Sequence, residues 1–146
     1  MILPQRKLIE KLAEIGEPVT AQTLRNRERQ GLVPAPLRDS SGLPGRNAFY
    51  SEEAIWENFA AGKFLRGGDY RTTAGQLKQA RAIAMDLRNH GSVDGLDKEN
   101  LETALALFWL GLCIFARLGM PVPAVMYLGD LRFFTGDQDV KPGDYA

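Results

Sequence analysis

Two residue types that often carry chemistry are nearly absent from this chain: of its 146 residues, one is cysteine and one is histidine. A single thiol, Cys113, excludes an internal disulfide and fits a reducing, cytoplasmic setting. The lone His90 lies between Asn89 and Gly91, where a histidine reads as a surface residue or helix end. It has no second histidine beside it and no support for a Ser-His-Asp set. A Gly-rich phosphate loop is also missing. No catalytic residue, metal site or cofactor is therefore expected, and the chain does not read as an enzyme. Long apolar runs are scarce too. The longest, ALALFWLGLCIFA at residues 104–116, is 13 residues, short of the roughly 20 a bilayer span needs, so no membrane partner is expected. Met1 is followed by Ile2, Leu3 and Pro4 and then by charged residues, which gives no apolar signal segment. Finally, charge of neither sign is in excess, with 18 Lys and Arg against 18 Asp and Glu. The chain as a whole is no general polyanion binder.

Charge is present locally. Residues 25–46 hold five arginines against Glu28 and Asp39, net +3, whereas residues 130–146 hold four acids against Arg132 and Lys141, net −2. The basic stretch lies within PVTAQTLRNRERQGLVPAPLRDSSGLPGRNAFY, residues 18–50. Thr20 is suited to cap a helix running to about Gln30, and Gly31, Pro34 and Pro36 stop it. On that helix Gln22, Arg25, Asn26 and Arg29 fall at i, i+3, i+4 and i+7 along one polar face, while Ala21 and Leu24 turn toward a core. Polar residues at this spacing usually mark only a solvated face; the flanking segments decide otherwise. Before it, Leu8, Ile9, Leu12 and Ile15 form an apolar stripe broken by Gly16 and Pro18, so two helices meet across a tight turn. Pro4 suits the first turn of that preceding helix. After it, residues 34–50 are rich in Pro and Gly and carry Arg38 and Arg46, the pattern of a protruding two-stranded wing.

These residues resemble the mercury-resistance-regulator (MerR) type of winged helix-turn-helix DNA-binding domain. The resemblance lies in VTAQTLRNRERQGLVPAP, with its Thr-Leu-Arg core, a Glu three residues after the Arg and Gly-Leu followed by prolines, and in FYSEEAI at the end of the wing. It covers about the first half of the chain. Asn26 follows Arg25 where the family has Tyr, Arg27 takes the next aromatic position, and Ala48 stands where the wing Arg is usual, with Arg46 and Asn47 further up. The resemblance implies a homodimer on a two-fold site in double-stranded DNA, with a small-molecule effector possible in the C-terminal half.

The remainder reads as mostly α. Ser51 is suited to cap a third helix whose stripe is Ile55, Trp56, Phe59 and Phe64. Thr73 and Gln76 form a capping box opening a fourth, which runs to Asn89 and is ended by His90 and Gly91. Asp97 is placed to cap the fifth, the apolar segment at residues 104–116. A helix apolar on every side needs cover on every side. One candidate is the amphipathic segment at residues 123–134, with Val125, Met126, Leu128, Leu131, Phe133 and Phe134; the other is a second copy of the chain through Leu107, Leu110 and Ile114. Phe108, Trp109, Phe115, Tyr127, Phe133 and Phe134 are alternatively core or the lining of an effector pocket. The expected organisation is a winged helix-turn-helix over residues 1–90, a helical dimerisation or effector region over 91–135 and a flexible tail over 136–146.

In the DNA-binding reading, Gln22 offers its amide to a base edge. Arg25, Asn26, Thr20 and Arg29 hold phosphates, and Arg38, Arg46 and Asn47 act from the wing. Two further readings stand beside a transcription regulator: a phage or plasmid architectural DNA-binding protein of the excisionase kind, and a winged module for ligands or proteins that has lost DNA binding.

Overall fold

The computed structural model describes residues 2–38, 48–65, 73–90, 101–123, 125–128 and 131–134. The element order is β1 (Ile2–Pro4), α1 (Gln5–Glu14), α2 (Ala21–Arg29), β2 (Leu37–Arg38), β3 (Ala48–Ser51), α3 (Glu53–Leu65), α4 (Ala74–His90), α5 (Leu101–Leu118), β4 (Val125–Leu128) and β5 (Leu131–Phe134). The protein is mostly helical, with two small antiparallel sheets.

The helix-turn-helix pair forms where the apolar stripe and its glycine breaks place it. Leu8 and Leu12 of α1 and Leu24 of α2 are fully buried. Gly16, at φ +87°, lets the chain turn at the end of α1: its N–H bonds the Ala13 carbonyl at 3.1 Å and the Glu17 N–H bonds the Leu12 carbonyl at 2.8 Å. Gly31, at φ +74°, closes α2 by the same pair of bonds, to Glu28 and Arg27. Thr20 caps α2 as expected, accepting the Thr23 N–H at 3.1 Å.

Three local expectations need correction. Residues Ile2–Pro4 are a strand, not a helix start: β1 pairs antiparallel with β3 in the register Leu3↔Tyr50, and Pro4 caps α1 from the strand end. Pro4 is tolerated because β1 is an edge strand of the order β1-β3-β2. Ser51 is the last residue of β3, paired with Ile2, rather than the cap of α3, which begins at Glu53. Residues 125–134, expected within a helical region, contain a hairpin in the register Val125↔Phe134 to Leu128↔Leu131. The physical reason is local: two short apolar runs are separated by two residues, Gly129 and Asp130.

The expected capping box is present, with Gln76 N–H to Thr73 Oγ1 at 3.2 Å and Thr73 N–H to Gln76 Oε1 at 2.9 Å. The helix it opens includes His90 as its last residue. Asp97 and the tail at 136–146 lie outside the described residues.

Helix α3 divides the packing. Ala54, Ile55 and Phe59 join Leu3, Leu8, Leu12, Leu24 and Tyr50 in the N-terminal core. Ala60, Ala61 and Phe64 join Leu77, Ala80 and Ala84 of α4 and Leu105, Phe108, Trp109 and Leu112 of α5 in the second. Packing thus runs continuously across residue 90. The β4–β5 hairpin covers part of α5: Phe133 stacks on Phe108 with ring centroids 4.5 Å apart. Gly111 permits the approach, since a side chain there would meet the terminal methyl of Met126. Among the described residues α5, 18 residues with a mean hydropathy of 1.7, is the one helix long and apolar enough to cross a membrane. It packs against α3, α4 and β4, with 39% of its residues buried.

Candidate nucleic-acid interface

The two sides of α2 are occupied as differently as its sequence suggests. Leu24 faces the core, while Gln22, Arg25, Asn26 and Arg29 are exposed. The exposed residues are not independent. Arg25 donates to Gln22 Oε1 at 2.9 Å and Gln22 Nε2 donates to Asn26 Oδ1 at 3.0 Å, so both ends of the Gln22 amide are held by neighbours one turn away. These bonds fix the rotamers of the three side chains and present a preformed polar strip. An amide reads adenine with both its oxygen and its nitrogen, so Gln22 must exchange both bonds to do so. Exposed hydrogen bonds exchange at little net cost, about 0.5–1.5 kcal/mol each.

The buried side of α2 carries residues that the sequence reading misplaced. Arg27 was counted with the basic patch, but it is 9% exposed and turns inward. Its guanidinium donates to the Asn58 carbonyl at 3.1 Å and the Asn58 side-chain oxygen at 3.4 Å, and lies 3.8 Å from the Glu17 carboxylate. Glu17 is fully buried, with Lys63 Nζ at 3.6 Å. The cluster joins the α1–α2 turn, α2 and α3. It depends on Gly62, because a Cβ at that position would overlap the Glu17 carboxylate. The signal was available: Arg27 lies three residues after the buried Leu24, on the same helix face.

The strands β2 and β3, where the sequence led to the expectation of a wing, pair as Leu37↔Phe49 and Arg38↔Ala48. Arg38 is thereby placed in the outer strand paired with β3, its side chain outside the described ones, and Arg46 and Asn47 lie outside the described residues. β3 is tied to α2 by the Tyr50 hydroxyl, which donates to Glu28 Oε1 at 2.6 Å. Glu28 is the Glu that follows Arg25 by three residues in the resemblance, and here it accepts the bond that ties β3 to α2.

The aromatic residues expected to form an effector pocket do not do so together. Phe108 and Phe133 are core, and Tyr127 is exposed. The Phe134 side chain lies outside the described ones. Trp109 alone among them lines a groove, of about 690 Å³, that also takes in Trp56, Leu87, Leu110, Cys113 and Ile114. Of the residues expected at a dimer seam, Leu107 and Leu110 are half-buried and Ile114 is 55% exposed. Ile114 and Leu118, 64% exposed, continue one apolar strip along α5. Among the described residues no cluster of three potential metal-ligating side chains occurs. Burial, and after it the nearby Glu57 charge, pushes the Cys113 thiol far above its ordinary range. It stays protonated and faces the Trp56 carbonyl at 3.8 Å. No protein-family model, no curated protein and no solved structure matches this chain.

Proposed function

We propose that the protein is a sequence-specific transcription regulator that binds double-stranded DNA as a homodimer through a winged helix-turn-helix of the MerR-like type. The observation that carries this reading is the linked strip Arg25, Gln22 and Asn26 on the open face of a short capped helix. That helix is backed by Leu24 and flanked by a strand pair clasped to it through Tyr50 and Glu28. In this reading α2 enters the major groove, Gln22 reads a base edge, and Arg25, Asn26, Arg29 and Thr20 fix register on phosphates. The wing residues Arg38, Arg46 and Asn47 grip the adjacent backbone. Removal of Arg27 from the patch leaves a modest cationic surface, which suits a protein that relies on two copies for affinity. The apolar strip through Leu107, Ile114 and Leu118 of α5 supplies a seam for that second copy.

Selection of bound sites from random duplexes tests the proposal. Enrichment of a two-fold-symmetric site, with affinity falling steeply as salt rises, is the expected outcome; coverage without a preferred site would favour the architectural reading. Absence of salt-sensitive affinity for any duplex would defeat both.

A further inference from the structure

A cation from outside the helix-turn-helix stands against the end of α2. Lys78 lies in the second turn of α4. Its side chain runs beside Gly31, the residue after the Gln30 cap of α2: a Cβ built on Gly31 would sit 3.6 Å from the Lys78 Cε. The core fixes this placement. Leu77 and Ala80, on either side of Lys78 in α4, are buried in one cluster with Leu32 and Val33, which directly follow Gly31. The first turns of α4 are therefore packed onto the segment by which the chain leaves α2.

Nothing within the protein engages the Lys78 charge. The residue is exposed, and the positions one turn before and after it on α4 are Ala74, Gly75, Arg81 and Ala82, none of them acidic. Among the described residues it makes no ion pair or hydrogen bond. Arg25 and Arg29, the exposed cations of α2, likewise have no acidic partner among the described residues. Glu28, the one acid of α2, is bound by the Tyr50 hydroxyl. Since Arg27 is turned inward to Glu17, Lys78 supplies a positive charge at the end of a helix that has withdrawn one of its own. Geometry then says what that charge can meet. Nine residues of α helix span about 13 Å, close to the major-groove width of about 12 Å. With Gln22, in the first turn, at the base edges, the far end of α2 and Gly31 emerge at the sugar-phosphate rim.

We propose that Lys78 is a further DNA-contacting residue, its ammonium neutralising a phosphate at the rim of the groove that α2 enters, so that the duplex-binding surface extends onto α4. This inference rests on the regulator reading. The contact is independent of sequence, and it joins the duplex directly to the second core, to which α4 belongs. A cation beside the last carbonyls of a helix also favours that helix through its dipole, and the two roles give different readouts.

The test measures the affinity of the full chain across a range of salt, for a duplex enriched from a random pool and for an unrelated duplex, with urea midpoints alongside. Lys78→Gln is expected to lower the slope of log affinity against log salt by about 0.9 for each chain bound. It is expected to weaken both duplexes by the same factor and to leave the urea midpoint in place, while Lys78→Arg restores the slope. An unchanged slope in Lys78→Gln overturns the proposal; if the urea midpoint falls at the same time, Lys78 serves the end of α2 alone. A loss confined to the enriched duplex overturns it as well, since a phosphate carries no sequence. Wild-type protein that binds no duplex defeats the regulator reading and this inference together, whereas a wild type that binds and a variant with the same slope defeat the inference only.

Discussion

The Tyr50 hydroxyl donates to Glu28 Oε1 at 2.6 Å, and this bond connects the central strand of the N-terminal sheet to the last turns of α2. In the proposed DNA-binding reading, these two elements must keep a fixed angle to contact one duplex together. Tyr50 is 2% exposed, so the phenol ring is also part of the core that holds Leu24. The same side chain therefore packs in the core with Leu24 of α2 and ties β3 to that helix.

Tyr50→Phe should keep the ring and lose the clasp. A hydrogen bond to a charged acceptor contributes about 1.5–3 kcal/mol; Glu28 is partly exposed and water recovers some of that, so a loss of about 1–2 kcal/mol is expected in urea denaturation. Under the proposed DNA-binding reading, affinity for a selected site should fall further than stability alone explains, because β3 is no longer held against α2. A variant with unchanged DNA affinity would show that the clasp serves folding only.

Gly62→Ala should be destabilising although alanine is the better helix former by about 1 kcal/mol. The added methyl overlaps the Glu17 carboxylate, which is fixed between Arg27 and Lys63. A net cost of about 2–4 kcal/mol is expected from overpacking against a buried ion cluster. Glu17→Ala alone should cost about 3–5 kcal/mol by removing a buried carboxylate from between Arg27 and Lys63, which is 3% exposed. The double variant should cost clearly less than the sum, since the methyl then meets no carboxylate. Additive effects by denaturation would place the strain elsewhere.

The N-terminal half was legible in the sequence because its signals are local. A capping threonine, two glycines at helix ends and an apolar i, i+4 stripe act within one or two turns, and Thr20, Gly16, Gly31, Leu8 and Leu12 all serve as read. The Thr73–Gln76 capping box is of the same kind. What was missed depends on distant partners. Ile2–Pro4 becomes a strand only because β3, near residue 50, offers it an edge. Arg27 turns inward only because Glu17 and Asn58 await it, although its spacing from Leu24 was a usable hint. The β4–β5 hairpin had a local signal, two apolar runs around Gly129 and Asp130, that was overridden by helical neighbours. Of the two covers weighed for α5, residues 123–134 supply part through Phe133 and Met126, in strand and not helical form. For the site itself, the helix face was readable, and the bonds linking Gln22 to Arg25 and Asn26 required coordinates.

Stability should depend on pH through Glu57. Its carboxyl is raised above the ordinary value of 4.5, by burial first, with the Arg81 hydrogen bond opposing. The folded state therefore holds this proton to higher pH than the unfolded chain does. Between 4.5 and the raised folded value the unfolded state binds fewer protons, so stability falls as pH rises through that window and levels off above it. Glu57→Gln removes the titrating group. Wild type should lose stability relative to this variant as pH increases from below 4.5 to neutrality, as measured by urea midpoints. Parallel profiles for the two proteins would assign the pH dependence to other groups.

On DNA, Arg25→Ala and Gln22→Ala should fail in different ways. Loss of a phosphate contact weakens all sequences and reduces the salt slope by about 0.9 per site, or about 1.8 for a dimer. Loss of a base contact should cost about 1–3 kcal/mol at one base pair and leave the salt slope intact. The structure adds a coupling: Arg25 holds Gln22 Oε1, so removing Arg25 also frees the Gln22 rotamer. A double-mutant cycle should therefore be non-additive. Equal loss of specificity from both single variants would contradict the assigned roles.

The second copy is best tested at Ile114. A charge at Leu112, fully buried, would damage the core whatever the oligomeric state, and Leu110 lies partly within the groove wall. Ile114 is 55% exposed and Leu118 64%, so Ile114→Glu removes little packing within one copy. In a dimer that closes over this strip, however, the same change buries two carboxylates near a two-fold axis, without counter-charges and facing each other. Light scattering should then show a monomer, while a denaturation profile extrapolated to low protein concentration stays close to that of wild type, within about 1 kcal/mol. A variant that remains dimeric would move the seam off α5.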